Sequence, residues 1–143
     1  MTTTRKHTAR EYARIGLETG VSAASPHRMI LLLHDGALRA VGDARRSLAA
    51  GQVAARGQAI SRAIGIVEQG LAHSLDLRRG GALASQLHDL YDYINRRLLL
   101  ANLNNDDAPL AEVADLLANL RGAWADIGQF APTEISNFIP AAA

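Results

Sequence analysis

Apolar residues recur at three- and four-residue steps along most of this chain, and the clearest run is Ser85 to Asn105, SQLHDLYDYINRRLLLANLNN. Within it Leu87, Leu90, Tyr91, Ile94 and Leu98 stack on one side of a helix. Leu99 and Leu103 widen that side by one row. A stripe this wide exceeds what one neighbouring helix covers. It predicts contact with several helices, or with several helices and a partner. Asp89, Asp92, Arg96 and Arg97 keep the other faces wet.

The remaining segments carry the same period. Ser25-Pro26 is a helix start: serine caps the free N–H groups of a first turn, and proline suits the first helical position. From Pro26 to about Ala50, Ile30, Leu33, Ala37, Val41, Ala44 and Leu48 form an inner face, and Gly51 is a stop. From Val53 to about Leu75, Ile60, Ala63, Ile64, Val67, Leu71 and Leu75 face the core, with Arg56 and Arg62 off that stripe. Leu77 to Gly81 reads as a helix exit, so the central helix starts near Ala82. It ends at Asn104-Asn105-Asp106-Asp107, with Asp107 as the cap of a last helix from Pro109 to about Ile127. Leu110, Val113, Leu116, Leu117, Leu120, Trp124 and Ile127 point inward there.

Period-two alternation is missing, and leucine and alanine dominate. The expected fold is all-α: an antiparallel four-helix bundle, one domain over 1–143 with its core at about 24–128. A short helix over 8–20 precedes it, with Tyr12 and Ile15 as anchors and Gly16 and Gly20 weakening it. Residues 129–143 form a partly ordered tail carrying Phe130, Ile135, Phe138 and Ile139.

Fifteen basic and fourteen acidic side chains give a formal charge of +1, which does not speak for nucleic acid. There is no cysteine, which agrees with a cytoplasmic setting. No run has the roughly 18 apolar residues of a membrane span, and the N-terminal region lacks a signal-like apolar core.

Catalytic patterns are missing too. The histidines, at 7, 27, 34, 73 and 88, make no HExxH pair and read as surface or capping residues, so no metal is expected. No GxSxG elbow, phosphate loop or inward Glu-x-x-His pair occurs, so neither an enzyme nor a cofactor is expected. Asp35-Gly36 is either a surface acid beside a helix contact or a charged edge to a partner. Tyr91 is either a core tyrosine with its hydroxyl at the rim or a groove residue for an apolar peptide. Tyr93 lies off the stripe, and Trp124 reads as core.

Three segments together resemble the FliS family of flagellin export chaperones: ASPHRMILLLHDGAL, LDLRRGGALASQL and LYDYINRRLLLAN. Leu33, Asp35, Gly36 and Ala37 match a family element in which His34 replaces the usual tyrosine or phenylalanine. Leu90, Tyr91, Asp92 and Tyr93, then Arg97, Leu98, Ala101 and Asn102, match two more. The resemblance implies a cytoplasmic bundle that binds the disordered C-terminal segment of flagellin in a one-to-one complex. It keeps flagellin from polymerising early, and export-apparatus components are further partners. It also implies that a segment bearing Tyr12 covers part of the groove when the client is away. Leu87, Leu90, Tyr91, Ile94, Leu98 and Ala101 are the expected groove. The alternatives are a non-catalytic adaptor for another flagellar or regulatory protein, or a bundle that dimerises through Leu87 and its neighbours.

Overall fold

The computed structural model describes residues 25–127, so the cap segment 8–20, with Tyr12 and Ile15, and the tail 129–143 lie outside the described residues. Four helices follow in order: α1 (Pro26–Ala49), α2 (Val53–Gly65), α3 (Leu77–Asn104) and α4 (Ala108–Ile127). At the start of α1, Ser25 Oγ accepts from the Arg28 N–H at 3.1 Å, and Pro26 occupies the first turn. Gly51, at φ +71°, turns the chain into α2. This left-handed geometry is cheap only for glycine. Asn105 takes the equivalent conformation after α3, at φ 54°.

Three local expectations are corrected. The second helix is not α-helical throughout: α2 runs on into a π-helical stretch, Ile66–Ala72. There Gly70 lies against Leu33. A Cβ on Gly70 would come within 3.0 and 3.2 Å of the Leu33 methyls, so the wide turn is seated by the missing side chain. Leu77 to Gly81 is a helix entry rather than an exit. Asp76 caps it, accepting from the Arg79 N–H at 3.0 Å, and the bend falls at Gly81, with φ 58° and ψ −139°. At α4 it is Asp106 whose carboxylate caps, accepting from the Ala108 N–H at 3.1 Å. The Asp107 carboxylate turns instead to Arg45, which grips it with two bonds of 2.9 and 2.8 Å.

Each helix packs on two neighbours, α1 on α2 and α4, and α3 on α2 and α4. Cross-helix pairs set an antiparallel register. Asp43 meets Arg62 between α1 and α2, and Asp35 meets Arg121 at 2.6 Å between α1 and α4. Arg97 meets Glu112 at 2.6 Å between α3 and α4. These pairs lie at least partly in water, where each contributes little stability. Their use is in fixing alignment. Gly36 sits in ordinary van der Waals distance of Ile66, so its packing does not demand glycine.

The core is built from Ile30, Leu33, Ala37, Val41 and Ala44 of α1, Ala59, Ile60 and Ala63 of α2, and Val67 and Leu71 beyond it. Tyr91, Ile94, Leu98 and Ala101 of α3 meet Leu110, Val113, Leu117 and Trp124 of α4. Small alanines in the inner rows let the backbones approach.

Two polar residues read as peripheral are inside. His34 is fully buried. Its Nδ1–H donates to the Ile30 carbonyl at 2.8 Å, leaving Nε2 to accept from the Tyr91 hydroxyl at 3.2 Å. That bond joins α1 to α3 across the diagonal of the bundle. The Tyr91 hydroxyl is therefore buried rather than at the rim. Burial pushes it up to about 12, against an opposing pull from the Trp124 side chain. Arg56 is the second surprise, buried with 6% of its surface left. It reaches the end of α3, with Nε donating to Asn102 Oδ1 at 2.9 Å and Nη1 donating to Asn105 Oδ1.

Two measurable consequences follow from this packing. Burial holds the His34 imidazole below its ordinary value, so the unfolded chain takes up a proton first as pH falls. Its contribution is thus complete above about pH 6.5 and is lost below it. Chemical denaturation should show stability dropping as pH falls below about 6.5, and His34→Phe should flatten that drop while lowering stability at the higher pH. An undiminished slope in His34→Phe would disprove the assignment. Separately, Gly70→Ala should cost about 1 kcal/mol, the overpacking against Leu33 outweighing the gain in helix propensity. The cost should shrink in a Leu33→Val background, and thermal melts of the four proteins test this.

Candidate interaction surface

The apolar arc of α3 is wider than the bundle encloses. Of the six expected groove residues, Tyr91, Ile94, Leu98 and Ala101 are buried at 0–1% exposure, and only Leu87 and Leu90 are half-buried. Most of the expected groove residues thus lie inside the bundle. The middle of the stripe closes the core against α1, α2 and α4, and its side chains leave no surface to a partner.

The surplus emerges one row further round. Leu99 is 52% exposed, Leu100 39% and Leu103 78%. Tyr93 stands one heptad before Leu100 at the edge of the same outer face. A fourth apolar side chain, Val53 at the start of α2, is 62% exposed. Leu77 and Leu83 are open near the Gly81 bend, at the other end of α3.

Val53 opens α2 at the end of the α2–α3 seam. Arg56 bonds Asn102, and Asn95 Nδ2 donates to the Ile64 carbonyl at 3.4 Å, so the two helices run antiparallel. Ile64 sits at the passage from α- to π-helix, where the change of register disturbs the carbonyl ladder and a side-chain donor is useful. Asn95 Oδ1 is buried without a partner. Val53 precedes Arg56 by three residues, and Leu99 precedes Asn102 by three. Each lies one turn along its own helix, on opposite sides of the Arg56–Asn102 contact. Gly57 lines the seam with no side chain: a Cβ there would come no nearer than 4.0 Å to Asn102 Nδ2.

On its α4 side the apolar face is fenced by charge. The Tyr93 hydroxyl donates to Glu112 at 2.5 Å, and Arg97 Nε donates to the same carboxylate at 2.6 Å. These two bonds, Tyr93 first, hold the Glu112 carboxyl below its usual range, and Glu112 in turn pushes the Tyr93 hydroxyl up. Asp35, the other charged candidate, is engaged by Arg121 on the opposite flank.

Among the described residues no group of three or more His, Cys, Asp or Glu could hold a metal, and no helix is long and apolar enough to cross a membrane. What the arrangement can do is bind apolar side chains. Sequence reasoning chose α3 and noticed Leu99 and Leu103 as a widening row. It placed the site on the middle of the stripe, and it left out Val53 and Arg56. The available signal was the width itself: the outermost row of an over-wide stripe is the row a bundle cannot cover.

Comparison with known proteins agrees with the fold and with the three sequence segments. The family model described as "Flagellar protein FliS" matches residues 8–131. The chain is 47% identical over 116 residues to the flagellar secretion chaperone FliS of Salmonella typhimurium, covering 81% of this chain and 86% of that protein. It is 41% identical over 115 residues to the flagellar secretion chaperone FliSB of Pseudomonas aeruginosa, covering 80% and 90%. It is 40% identical over 113 residues to the FliS of Escherichia coli, covering 79% and 83%. With a match spanning most of its length, this chain belongs to the FliS family of flagellar proteins.

Proposed function

We propose that this protein is a cytoplasmic flagellar secretion chaperone that binds the disordered C-terminal segment of flagellin, keeping it monomeric and competent for export. The observation that carries the reading is the outer row of α3, Leu99, Leu100 and Leu103, left in water on a well-packed helix. Its curated relatives are named as flagellar secretion chaperones, which supports the same reading. No bond is made or broken in this activity, so it needs neither cofactor nor metal. Removing apolar area from water contributes about 25 cal/mol per Å². The client's ordering entropy offsets part of that, so affinity stays modest for the area buried. Residues 8–20, with Tyr12 and Ile15 as anchors, act as a lid that competes for the same face.

The test is calorimetry with the C-terminal segment of flagellin. Leu99 and Leu103 can be changed without opening the core. Leu99→Ser and Leu103→Ser should each weaken binding about tenfold, equivalent to about 1–2 kcal/mol of lost apolar burial, while the fold is retained. Unchanged affinity in both variants would remove this surface from the mechanism. Deleting residues 8–20 should raise affinity, and a fall would show that the segment helps to hold the client.

A further inference from the structure

The inner row of α3 does not stay inside the bundle along its whole length. Leu83 stands four residues before Leu87, on the row that continues through Leu90, Ile94, Leu98 and Ala101. Ile94, Leu98 and Ala101 are fully buried, and Leu87 and Leu90 are half-buried, yet Leu83 is 46% exposed. A leucine on the core row that is left in water lacks a covering neighbour. That gap lies at the end of the bundle where α4 stops. Only Asn105, Asp106 and Asp107 join α3 to α4, so the two helices run antiparallel. Arg97 meets Glu112; fourteen residues back from Arg97 is Leu83, and fourteen on from Glu112 is Asp126, so Leu83 is level with the last turn of α4. Leu77, beyond the Gly81 bend, is exposed at the same end. Between the two leucines, Arg78 and Arg79 are exposed and make no ion pair among the described residues.

We propose that residues 128–143 of this chain, which follow α4 directly, dock on this corner: their apolar side chains cover Leu83 and Leu77, and Glu134 meets Arg78 and Arg79. The chemistry of the segment fits. Both phenylalanines of the chain, Phe130 and Phe138, fall in it, together with Ile135 and Ile139. Ile135, Phe138 and Ile139 stand three and four apart, the spacing that sets side chains on one side of a helical turn. Glu134 is the only charged side chain in 128–143, opposite in sign to the arginine pair. The other stretch outside the described residues fits less well. Residues 1–24 carry Arg5, Lys6, Arg10 and Arg14 against Glu11 and Glu18, an excess of positive charge that Arg78 and Arg79 repel. Reach is no obstacle: six residues, Gly128 to Thr133, extend up to about 20 Å, and packed helices lie only about 8–10 Å apart. The link is short, so the contact forms at high effective concentration and a small surface suffices. The inference is independent of the proposed function, which assigns the client to Leu99, Leu100 and Leu103 at the far end of α3.

The chain has no cysteine, so introduced pairs report on this contact alone. The full chain carrying Leu83→Cys with Phe138→Cys is equilibrated in a glutathione redox buffer, beside two controls, Leu103→Cys with Phe138→Cys and Leu83→Cys with Tyr12→Cys. The first pair should form its disulfide within a monomer at least tenfold more readily than either control. Arg78→Glu with Arg79→Glu should lower that preference about threefold, the size of an exposed charge contact, and adding Glu134→Arg should restore it. A first pair that does not exceed both controls would overturn the inference. A preference unmoved by the charge reversals would overturn the Glu134 contact. Disulfide-linked dimers of Leu83→Cys alone at micromolar protein would overturn the inference too, assigning the corner to a second copy of the chain. So would protection of the Leu83→Cys thiol from alkylation that arises only on adding the flagellin C-terminal segment, which assigns the corner to the client. Should Leu83→Cys unsettle the fold, Leu77→Cys with Ile135→Cys is read in the same way, against Leu103→Cys with Ile135→Cys and Leu77→Cys with Tyr12→Cys.

Discussion

The bundle closes on the bond from the Tyr91 hydroxyl to His34. A tyrosine at the centre of α3 buries a large ring and a polar atom together, and the polar atom has to be satisfied across the interior. His34 does this by giving its other nitrogen to its own helix at Ile30, which sets the tautomer. With α1 and α3 joined along the diagonal, Ile94, Leu98 and Ala101 are drawn into the same closed interior. The inner row of α3 is then spent on the fold. Whatever binding surface α3 offers has to come from the residues left over.

That division explains why the two kinds of polar contact have different jobs. The buried His34–Tyr91 and Arg56–Asn102 contacts are costly to break, because each loss strands a polar group away from water. The exposed ion pairs of Asp35, Asp43, Arg45 and Arg97 are screened and individually weak. Spread over three helix pairings, they penalise a slipped register at many points. The π-helical stretch adds another local device, since Gly70 lets it lie directly on Leu33 and the nearby Ile64 carbonyl finds a donor in Asn95.

Much of this fold was legible because its signals are local. Ser25 beside Pro26 marks a helix start, the polar run after Asn104 marks an end, and the apolar steps mark the inner faces. Several of the corrections share a cause, a contact distant in sequence. His34 and Arg56 look like surface residues until Tyr91 and Asn102 are brought to them. Asp107 is a plausible cap until Arg45 draws its carboxylate away and Asp106 takes over. The π-turn has no composition signature of its own. The exposed row of α3 follows the same logic. Periodicity gives the width of an apolar arc, but the positions of the neighbouring helices decide which part of that arc remains outside.

An apolar row on a rigid helix differs from the same leucines on a loop. Its side chains are held by the packing of the row beneath, so binding orders only the client and not the receptor. The cost of ordering falls on the flexible partner, and the affinity that results stays reversible, as release for export requires. Rigidity has a second consequence. Flat leucine contacts discriminate poorly between one apolar segment and another, because a shifted register buries almost the same area.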